Sequence, residues 1–365
     1  MTAAAPFRVP TQAQLELFKR IPSEQLPKLL CAMPKAELHI HIEGSLEPEL
    51  IFKLAHRNGV QLIYPDVESM RRAYAFTNLQ SFLDVYSAGS SVLLEEEDFF
   101  DMAWAYLERA ARDGIIHAEI FFDPQTHTER GVPLSRVILG LDRACQKAHR
   151  ELGLSVALIL CFLRHLSEAQ AFETLAAALP WRDKIIGVGL DSSELGHPPE
   201  KFARVFAQCR ALGLRVVAHA GEEGPPEYIR QALDLLQVER IDHGVRCVQD
   251  SELMNQLAVQ RIPLTVCPLS NVKLCVFPSL EQHNLPALLN AGLCVTLNSD
   301  DPAYFGGYLN ENFKQTFAAL PQLTAADAWQ LAMNSFEASF VPTAQKRDWA
   351  KRLEDCFHEA ANSFD

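Results

Sequence analysis

The sequence predicts an α/β protein whose fold is a (β/α)8 barrel of the TIM type, with extra helices that cap the barrel mouth. Short runs rich in β-branched residues alternate eight times with longer amphipathic runs, which predicts a parallel sheet. Side chains able to bind metals stand where the predicted strands end, and a barrel gathers those ends at one mouth. No Gly-, Ser- or Pro-rich linker divides the 365 residues. We therefore predict a single domain over residues 1–365, with an open doubly wound sheet as the structural alternative.

The predicted strands are short apolar runs, and they are separated by helical patterns in which apolar residues recur three and four positions apart. The strands are predicted at 36–42, 115–122, 156–162, 185–190, 215–220, 240–243, 263–267 and 294–298. The helices between them are predicted at 99–113, 135–152, 167–178, 200–212, 226–236, 251–260 and 285–291. Eight repeats of this unit favour closure of the sheet into a barrel.

Three helical segments lie outside the repeat. An N-terminal preamble, residues 1–33, has apolar positions at helical spacing from residue 11 onwards. Residues 46–97, between the first two strands, are more than one barrel helix needs, so we expect helices there that cover the mouth as a lid. From about residue 303 the chain is helical again, and we expect a C-terminal cap on the barrel.

The charge and cysteine content exclude some classes of function. A formal net charge of −13 argues against affinity for nucleic acid, which needs a face rich in Lys and Arg, and favours a small uncharged substrate. Nine cysteines without a C-x-x-C pair are expected to be reduced, as in the cytoplasm. No run approaches the ~18–20 apolar residues of a membrane span. We expect a soluble cytoplasmic protein without a membrane partner, and homo-oligomers are compatible with this composition.

Ionisable side chains follow several of the predicted strands. Because strand ends converge at the barrel mouth, residues far apart in sequence become neighbours there. A single histidine at a strand end is often only a hydrogen-bonded structural residue, but four histidines and three aspartates in such positions favour an active site. The residues at strand ends are His39 and His41 on the first strand, Asp191 on the fourth, His219 on the fifth, His243 on the sixth, and Asp300 and Asp301 after the eighth.

The H-x-H pair predicts a metal site. His39 and His41 are two positions apart on a strand, so their side chains point to the same face and can bind one ion together. A further histidine, His219, and a carboxylate, Asp300, complete a ligand set that suits Zn²⁺ with a position left for water. Bound zinc would lower the pKa of that water from about 15.7 to about 7.

Five segments resemble the adenosine/adenine deaminase family of the amidohydrolase superfamily. They are MPKAELHIHIEGSL at 33–46, AHAGEE at 218–223, RIDHGVR at 240–246, CPLSNVKL at 267–274 and LNSDDPAYF at 297–305. The family's fold is a TIM-type barrel. The resemblance implies one zinc ion bound by His39, His41, His219 and Asp300, with Glu222 as proton donor, His243 assisting the hydroxide and Asp301 binding the purine.

Two absences narrow the metal chemistry that the resemblance implies. No lysine occurs in GVGLDSSELG at 187–196, after the fourth strand, which argues against a binuclear centre built on a carbamylated lysine. There is also no H-x-E with a P-C-x-x-C pair, the signature of the cytidine deaminase type of zinc site. We expect a single metal ion.

Two further carboxylates bear on the substrate. Glu43-Gly44 stands where relatives acting on adenosine have Asp-Gly, and Ser192-Ser193-Glu194 replaces their Ala-Gly step. We predict that Glu43 occupies space a ribose would need and that Glu194 stands beside the purine, so both would be substrate-binding. These segments look like the adenine deaminase branch, and purine salvage is the implied pathway.

The favoured reaction is therefore hydrolysis of adenine to hypoxanthine and ammonia by a zinc-activated hydroxide. Adenosine and N6-substituted adenines are the alternative substrates. Two more remote alternatives are another zinc hydrolase, acting on a cyclic amide, a phosphoester or a pterin, and a purine-binding barrel without catalysis.

Overall fold

The computed structural model describes residues 9–362, and a sheet of eight parallel strands lies at its centre. Each strand pairs with the next along the chain, in the order β1 to β8. The first eight residues of the predicted preamble lie outside the described residues. The strands are β1 Lys35–His41, β2 Ile115–Phe122, β3 Ser155–Leu163, β4 Gly187–Asp191, β5 Arg215–Ala220, β6 Arg240–His243, β7 Pro263–Val266 and β8 Cys294–Leu297.

The residues after β8 close the sheet against β1. Ile40 forms a parallel bridge with Asp300. The His41 N–H donates to the Asp300 carbonyl oxygen and the Asp300 N–H donates to the His39 carbonyl oxygen, both at 3.0 Å. The sequential strand order and this closure confirm the predicted (β/α)8 barrel and exclude the open sheet, which would leave two unpaired edge strands.

Helices flank every strand. Those before β2 are α1 Gln12–Phe18, α2 Leu26–Ala32, α3 Pro48–Asn58, α4 Val67–Arg72, α5 Leu79–Ser90 and α6 Glu96–Arg112. Those between β2 and β8 are α7 Pro124–Thr128, α8 Leu134–Leu152, α9 Glu168–Ala178, α10 Ala203–Ala211, α11 Pro226–Gln231, α12 Ser251–Gln260, α13 Pro268–Lys273 and α14 Leu285–Asn290. After β8 come α15 Pro302–Phe305, α16 Leu309–Ala319, α17 Ala325–Ala338 and α18 Thr343–Asn362.

Most predicted bounds agree with the structure to within three residues, but two predicted helices are interrupted. The helix predicted at 200–212 is a 3₁₀ turn, Pro199–Phe202, followed by α10. Phe202 leaves the helical region, and the carboxylate of Glu168 accepts the N–H groups of the next turn, so a new helix begins there. The helix predicted at 226–236 is α11 followed by a π-helical turn, Ala232–Leu236.

The predicted lid consists of α3, α4 and α5, and α5 packs on the loops that follow β7 and β8. A small apolar cluster holds it there, separate from the main core that fills the space between strands and outer helices. The C-terminal cap is also present, because α17 packs against β1 and β8 and α18 packs on α17. The buried members of the lid cluster are Leu79, Phe82, Tyr86, Leu274, Tyr304 and Phe305.

A buried ion pair crosses the barrel interior on the N-terminal side of the mouth. Glu119 on β2 and Arg240 on β6 come from opposite walls, and Arg240 Nη1 lies 2.6 Å from Glu119 Oε2. Arg240 Nη2 also donates to the Leu38 carbonyl oxygen at 3.2 Å. Among the described residues, no helix combines the length and apolar character needed to cross a bilayer.

Candidate metal and catalytic site

A cavity of about 470 Å³ opens at the C-terminal ends of the strands. Its volume lies within the usual range of small-molecule sites, about 300–1,000 Å³. The lid contributes Leu79, Phe82, Leu83 and Tyr86 to its wall. The predicted residues that line it are His41, Asp191, His219, Glu222, His243, Asp300 and Asp301.

Four side chains converge below this cavity with the geometry of a metal site. The Nε2 atoms of His41 and His219 lie 3.1 Å apart, and Asp300 Oδ1 lies 3.2 Å from His39 Nε2 and 3.5 Å from His41 Nε2. All four ligand atoms lie within 4.8 Å of one another. Around a zinc ion with bonds of about 2.1 Å and a further position for water, neighbouring ligand atoms are about 3.0–3.6 Å apart. The donor types and their spacing therefore fit one such ion.

The outer ring nitrogens of two of these histidines are held by a short polar chain. His39 Nδ1 lies 2.9 Å from Thr265 Oγ1, and Thr265 donates to Asp242 Oδ1 at 2.9 Å. Asp242 Oδ2 lies 3.4 Å from His219 Nδ1. Such partners fix the ring orientation and leave Nε2 free for the metal. Thr265 and Asp242 were missed from the sequence, although Asp242 directly precedes His243 on β6.

The third histidine has its own carboxylate partner. His41 Nδ1 lies 3.5 Å from Asp191 Oδ2, so the strand-end residue Asp191 is placed to orient the His41 ring. Asp123, which follows β2 as Asp191 follows β4, also lines the cavity. It was missed from the sequence, although the strand-end rule that selected Asp191 applies to it equally. Tyr86 of the lid donates to Asp123 Oδ2 at 3.1 Å.

Burial and neighbouring charges favour the metal-binding forms of two of these groups, His219 and Asp300. Burial lowers the pKa of His219 to about 4, so its ring is neutral at physiological pH. Burial alone would raise the pKa of Asp300, but the adjacent His39 outweighs it and holds that pKa well below the usual range. A neutral imidazole and an ionised carboxylate are the forms that ligate metals.

Two residues at the site have left-handed backbone conformations. Asp300 has φ of 65° and His243 has φ of 64°. For residues other than glycine this conformation costs of order 1–3 kcal/mol, and it persists only where surrounding structure holds it. At Asp300 the pairing with β1 supplies that constraint. Both side chains line the cavity.

Glu222 and His243 stand side by side at the cavity wall. Glu222 Oε2 lies 3.6 Å from His243 Nε2, which lies 3.8 Å from Asp300 Oδ2. Burial, with the charges of Asp300 and Glu194 added to it, raises the pKa of Glu222 well above its usual value. Burial and the neighbouring His39 lower the pKa of His243 well below its usual value. Both shifts favour the uncharged forms, a carboxylic acid at Glu222 and a neutral imidazole at His243.

Asp301 occupies the N-cap position of α15, immediately before Pro302, as its sequence context predicts. Its side chain makes no capping hydrogen bond and instead lines the cavity. Burial and the adjacent Asp300 raise the pKa of Asp301 well above its usual value. The carboxyl is therefore available to a ligand as a hydrogen-bond donor.

Neither Glu43 nor Glu194 lines the cavity, although both were predicted to contact substrate. Glu43 is buried and accepts hydrogen bonds from His127 Nε2 at 2.8 Å and from the Asp123 N–H at 3.2 Å. Glu194 is buried and accepts hydrogen bonds from backbone amides of the loop that carries Glu222. Both carboxylates thus have their hydrogen bonds within the protein.

The chain is similar over most of its length to proteins with recorded names. A family model described as adenosine deaminase matches residues 34–356. An adenine deaminase from Trichlorobacter lovleyi is 68% identical over 339 residues, which are 93% of this chain and 97% of that protein. The crystal structure of an adenine deaminase from Arthrobacter aurescens has a TM-score of 0.87 at 50% identity, covering 89% of this chain and 99% of that chain. An amidohydrolase from Burkholderia ambifaria, with bound zinc in its crystal structure, has a TM-score of 0.86 at 27% identity over 99% of each chain.

Proposed function

Because the chain belongs to the adenosine deaminase family, we propose that it hydrolyses adenine to hypoxanthine and ammonia at a single zinc centre. The match of the adenosine deaminase family model to residues 34–356 confirms the resemblance inferred from the five sequence segments. The observation that favours adenine over adenosine is the 68% identity to an adenine deaminase across nearly the whole chain. The protonated Glu222 and the metal-ligating cluster at one cavity support the same chemistry.

We assign the metal to His39, His41, His219 and Asp300, whose ligand atoms lie close enough together to hold one ion. Zinc bound there would supply a water molecule with a pKa lowered to about 7, which is a nucleophile at neutral pH. The bound zinc of the Burkholderia ambifaria relative supports this choice of metal. Asp191, Thr265 and Asp242 hold the three imidazole rings in orientation through their outer nitrogens.

Glu222 is placed to protonate the purine ring. Addition of water at C6 of adenine moves negative charge on to N1, and a proton transferred from Glu222 to N1 neutralises that charge. His243, with a neutral imidazole, accepts a proton from the attacking water and returns it to the leaving nitrogen. The C6–N bond then breaks and ammonia departs. The C6 hydroxyl proton passes to the Glu222 carboxylate, which restores the acid and leaves hypoxanthine in its 6-oxo form.

Asp301 orients the base from the other side of C6. In the common N9–H form of adenine, N7 is a hydrogen-bond acceptor. The raised pKa of Asp301 favours its protonated carboxyl, which would donate a hydrogen bond to N7. Two carboxyls at N1 and N7 would fix the ring with C6 over the metal site. We further propose that residues 1–365 act as one domain, in the cytoplasm, on this small molecule alone.

The proposal is tested with the purified protein. We expect kcat/KM to be highest for adenine among adenine, adenosine and N6-methyladenine, with hypoxanthine and ammonia formed in equal amounts. Elemental analysis of the same sample should find one zinc per chain. Preference for adenosine or N6-methyladenine would overturn the substrate assignment. Absence of ammonia with all three compounds would overturn the deaminase function itself.

A further inference from the structure

The loop that carries Glu222 is anchored to a single carboxylate. Residues 221–224 follow β5, and four consecutive N–H groups of this loop all donate to Glu194. Oε1 accepts from Gly221 at 2.6 Å, and Oε2 accepts from Glu222 at 3.1 Å and from Glu223 and Gly224, both at 2.8 Å. Glu194 is only 1% exposed, so these bonds are shielded from water.

This arrangement is an anion-binding concavity that is filled by the protein itself. Successive N–H groups pointing into one hollow commonly bind a phosphate or another external anion. Here the anion is a side chain from the loop after β4, and hydrogen bonds to an ionised acceptor are about twice as strong as neutral ones. The Glu194 carboxylate therefore stabilises the conformation of the loop and occupies the position that an external anion would take.

The loop sequence is compatible with this contact only because small residues flank the two glutamates. Gly221 has φ of 70°, a left-handed conformation that favours glycine. A Cβ on Gly224 would lie 2.6 Å from Glu194 Oε1 and 2.7 Å from Tyr228 Cδ2. The G-E-E-G sequence thus leaves the space that the Glu194 carboxylate occupies.

Arg164 holds the other end of the same segment. This buried arginine follows β3, and its Nη1 donates to the His219 carbonyl oxygen at 2.6 Å. Among the carboxylates, Glu194 most strongly opposes the lowering of the Arg164 pKa by burial. The segment from His219 to Gly224 is therefore held by a buried arginine at one end and a buried glutamate at the other.

We propose that Glu194 is a positioning residue that holds Glu222 where its carboxyl can reach the ring nitrogen of the substrate. This inference rests on the proposed function, in which Glu222 is the proton donor. It gives Glu194 an indirect role, through the backbone of residues 221–224, in place of the substrate contact predicted from the sequence. A displacement of about 1 Å of a catalytic group can reduce the rate about 100-fold.

The first test is Glu194→Gln, which keeps the shape of the side chain but places an amide NH₂ group against N–H donors. We expect kcat for adenine to fall about 100-fold, with KM changed less than about threefold and zinc content unchanged. Glu168→Gln is the matched control, because Glu168 also accepts two backbone N–H groups, at 2.8 and 3.1 Å, but caps α10 away from the cavity. We expect its kcat to equal that of the wild type. Equal kcat losses in both variants, or none in Glu194→Gln, would contradict the proposal.

A double-mutant cycle separates positioning from a general structural role. Glu222→Gln should leave a measurable residual rate, about 10²–10⁴-fold below wild type. If Glu194 acts through Glu222, adding Glu194→Gln to that variant should lower the rate little further. If Glu194→Gln lowered the rate of the Glu222→Gln variant as much as it lowers the wild-type rate, the proposal would be overturned, but Glu222 would still be the proton donor. Wild-type turnover in Glu222→Gln would instead overturn the proton-donor assignment.

Gly224→Ala provides the same test if Glu194→Gln does not fold. Its added methyl group would displace the Glu194 carboxylate from the loop while all the charges are retained. We expect kcat to fall with little change in KM, and in the Glu222→Gln background the substitution should have little further effect. An unchanged kcat would show that the loop does not depend on this contact.

Discussion

Asp300 and Asp301 are neighbours in the sequence, yet their pKa values move in opposite directions. Burial acts to raise both, but His39 lies beside Asp300 and lowers its pKa, whereas Asp301 has the charge of Asp300 beside it, which raises its pKa further. The surroundings thus favour the anionic form of Asp300, as proposed for a metal ligand, and the neutral form of Asp301, as proposed for a hydrogen-bond donor. Because both residues are aspartates, the difference between them arises from the groups that surround each side chain.

At Glu222 we predict a loss of catalysis without loss of metal. Glu222→Gln removes the proton but keeps the size of the side chain, so kcat for adenine should fall about 10²–10⁴-fold. The proposed metal ligands are untouched, and the zinc content should stay at the wild-type level. Steady-state kinetics and metal analysis check both points. Loss of zinc together with activity would show that Glu222 supports the metal site and would remove the proton-donor assignment.

The pH dependence of the rate should report the same proton. Burial raises the pKa of Glu222 well above its usual value. A general acid acts only in its protonated form, so kcat is full below this pKa and falls as pH rises through it. We expect a decline on the alkaline side of the kcat profile, and this decline should be missing from the residual activity of Glu222→Gln. An identical decline in that variant would assign the titration to another group.

At the scale of elements, the loops after β1 and β8 interlock at the mouth. Gly44 lies in a 3₁₀ turn, Glu43–Ser45, and a Cβ at Gly44 would collide with the Asp301 carboxylate. The close approach of these two loops requires glycine at this position. The glycine of the Glu-Gly step after the H-x-H pair is therefore needed to leave room for the Asp301 carboxylate, although Glu43 itself does not line the cavity.

Gly44→Ala should therefore impair substrate binding more than folding. The methyl group would push Asp301 away from its place, and we expect kcat/KM for adenine to fall about 100-fold with zinc retained. Gly59→Ala is the control, since Gly59 ends α3 with φ of 66° and an added Cβ there meets no atom within 4 Å. That control should lower stability by roughly 1–2 kcal/mol and leave kcat/KM unchanged. Similar kcat/KM in both variants would contradict the steric argument.

At the scale of the whole molecule, the Glu119–Arg240 pair joins opposite walls of the barrel. Both side chains are fully buried, and removing one partner would leave an uncompensated charge in the interior. We predict that Arg240→Met lowers the free energy of unfolding by about 3–5 kcal/mol. Urea denaturation measures this. Arg230→Met, which breaks the partly exposed Arg230–Asp250 pair, should lower the free energy of unfolding much less. Equal losses of unfolding free energy in the two variants would contradict the larger cost expected for breaking the buried pair.

The same pair predicts how stability depends on pH. Burial would raise the pKa of Glu119, but Arg240 and His117 outweigh it and lower that pKa from 4.5 to about 2. A carboxylate with a lowered pKa in the folded state stabilises the protein fully above its unfolded pKa. This contribution should be lost as pH falls from about 4.5 towards 2. Denaturation at several acidic pH values should show a smaller decline in Arg240→Met, and a decline as large as in wild type would contradict the assignment.

The strand and helix order could be predicted because it depends on local periodicity, and the bounds of β2, β5 and β6 agree with the predicted ones. The break between Phe202 and α10 could not be predicted from local periodicity. The first turn of α10 is capped by the carboxylate of Glu168, which lies 36 residues before its partner Arg204 in the chain. Tyr86 and Thr265 were missed for the same reason. A lid tyrosine and a strand threonine carry no local sign of the side chains they will contact.

Local sequence patterns were enough to predict the barrel and most of the polar residues that meet at its mouth, because parallel strands that alternate with helices bring their C-terminal ends together. The tertiary structure alone decided what each of these residues does. Hydrogen-bond partners, burial and the left-handed conformations of Asp300 and His243 depend on contacts between distant segments. Those contacts placed Asp301 at the cavity, and placed Glu194 behind the loop that carries Glu222. A carboxylate's role is determined by the groups that surround it, and its position in the chain specifies only which strand end it occupies.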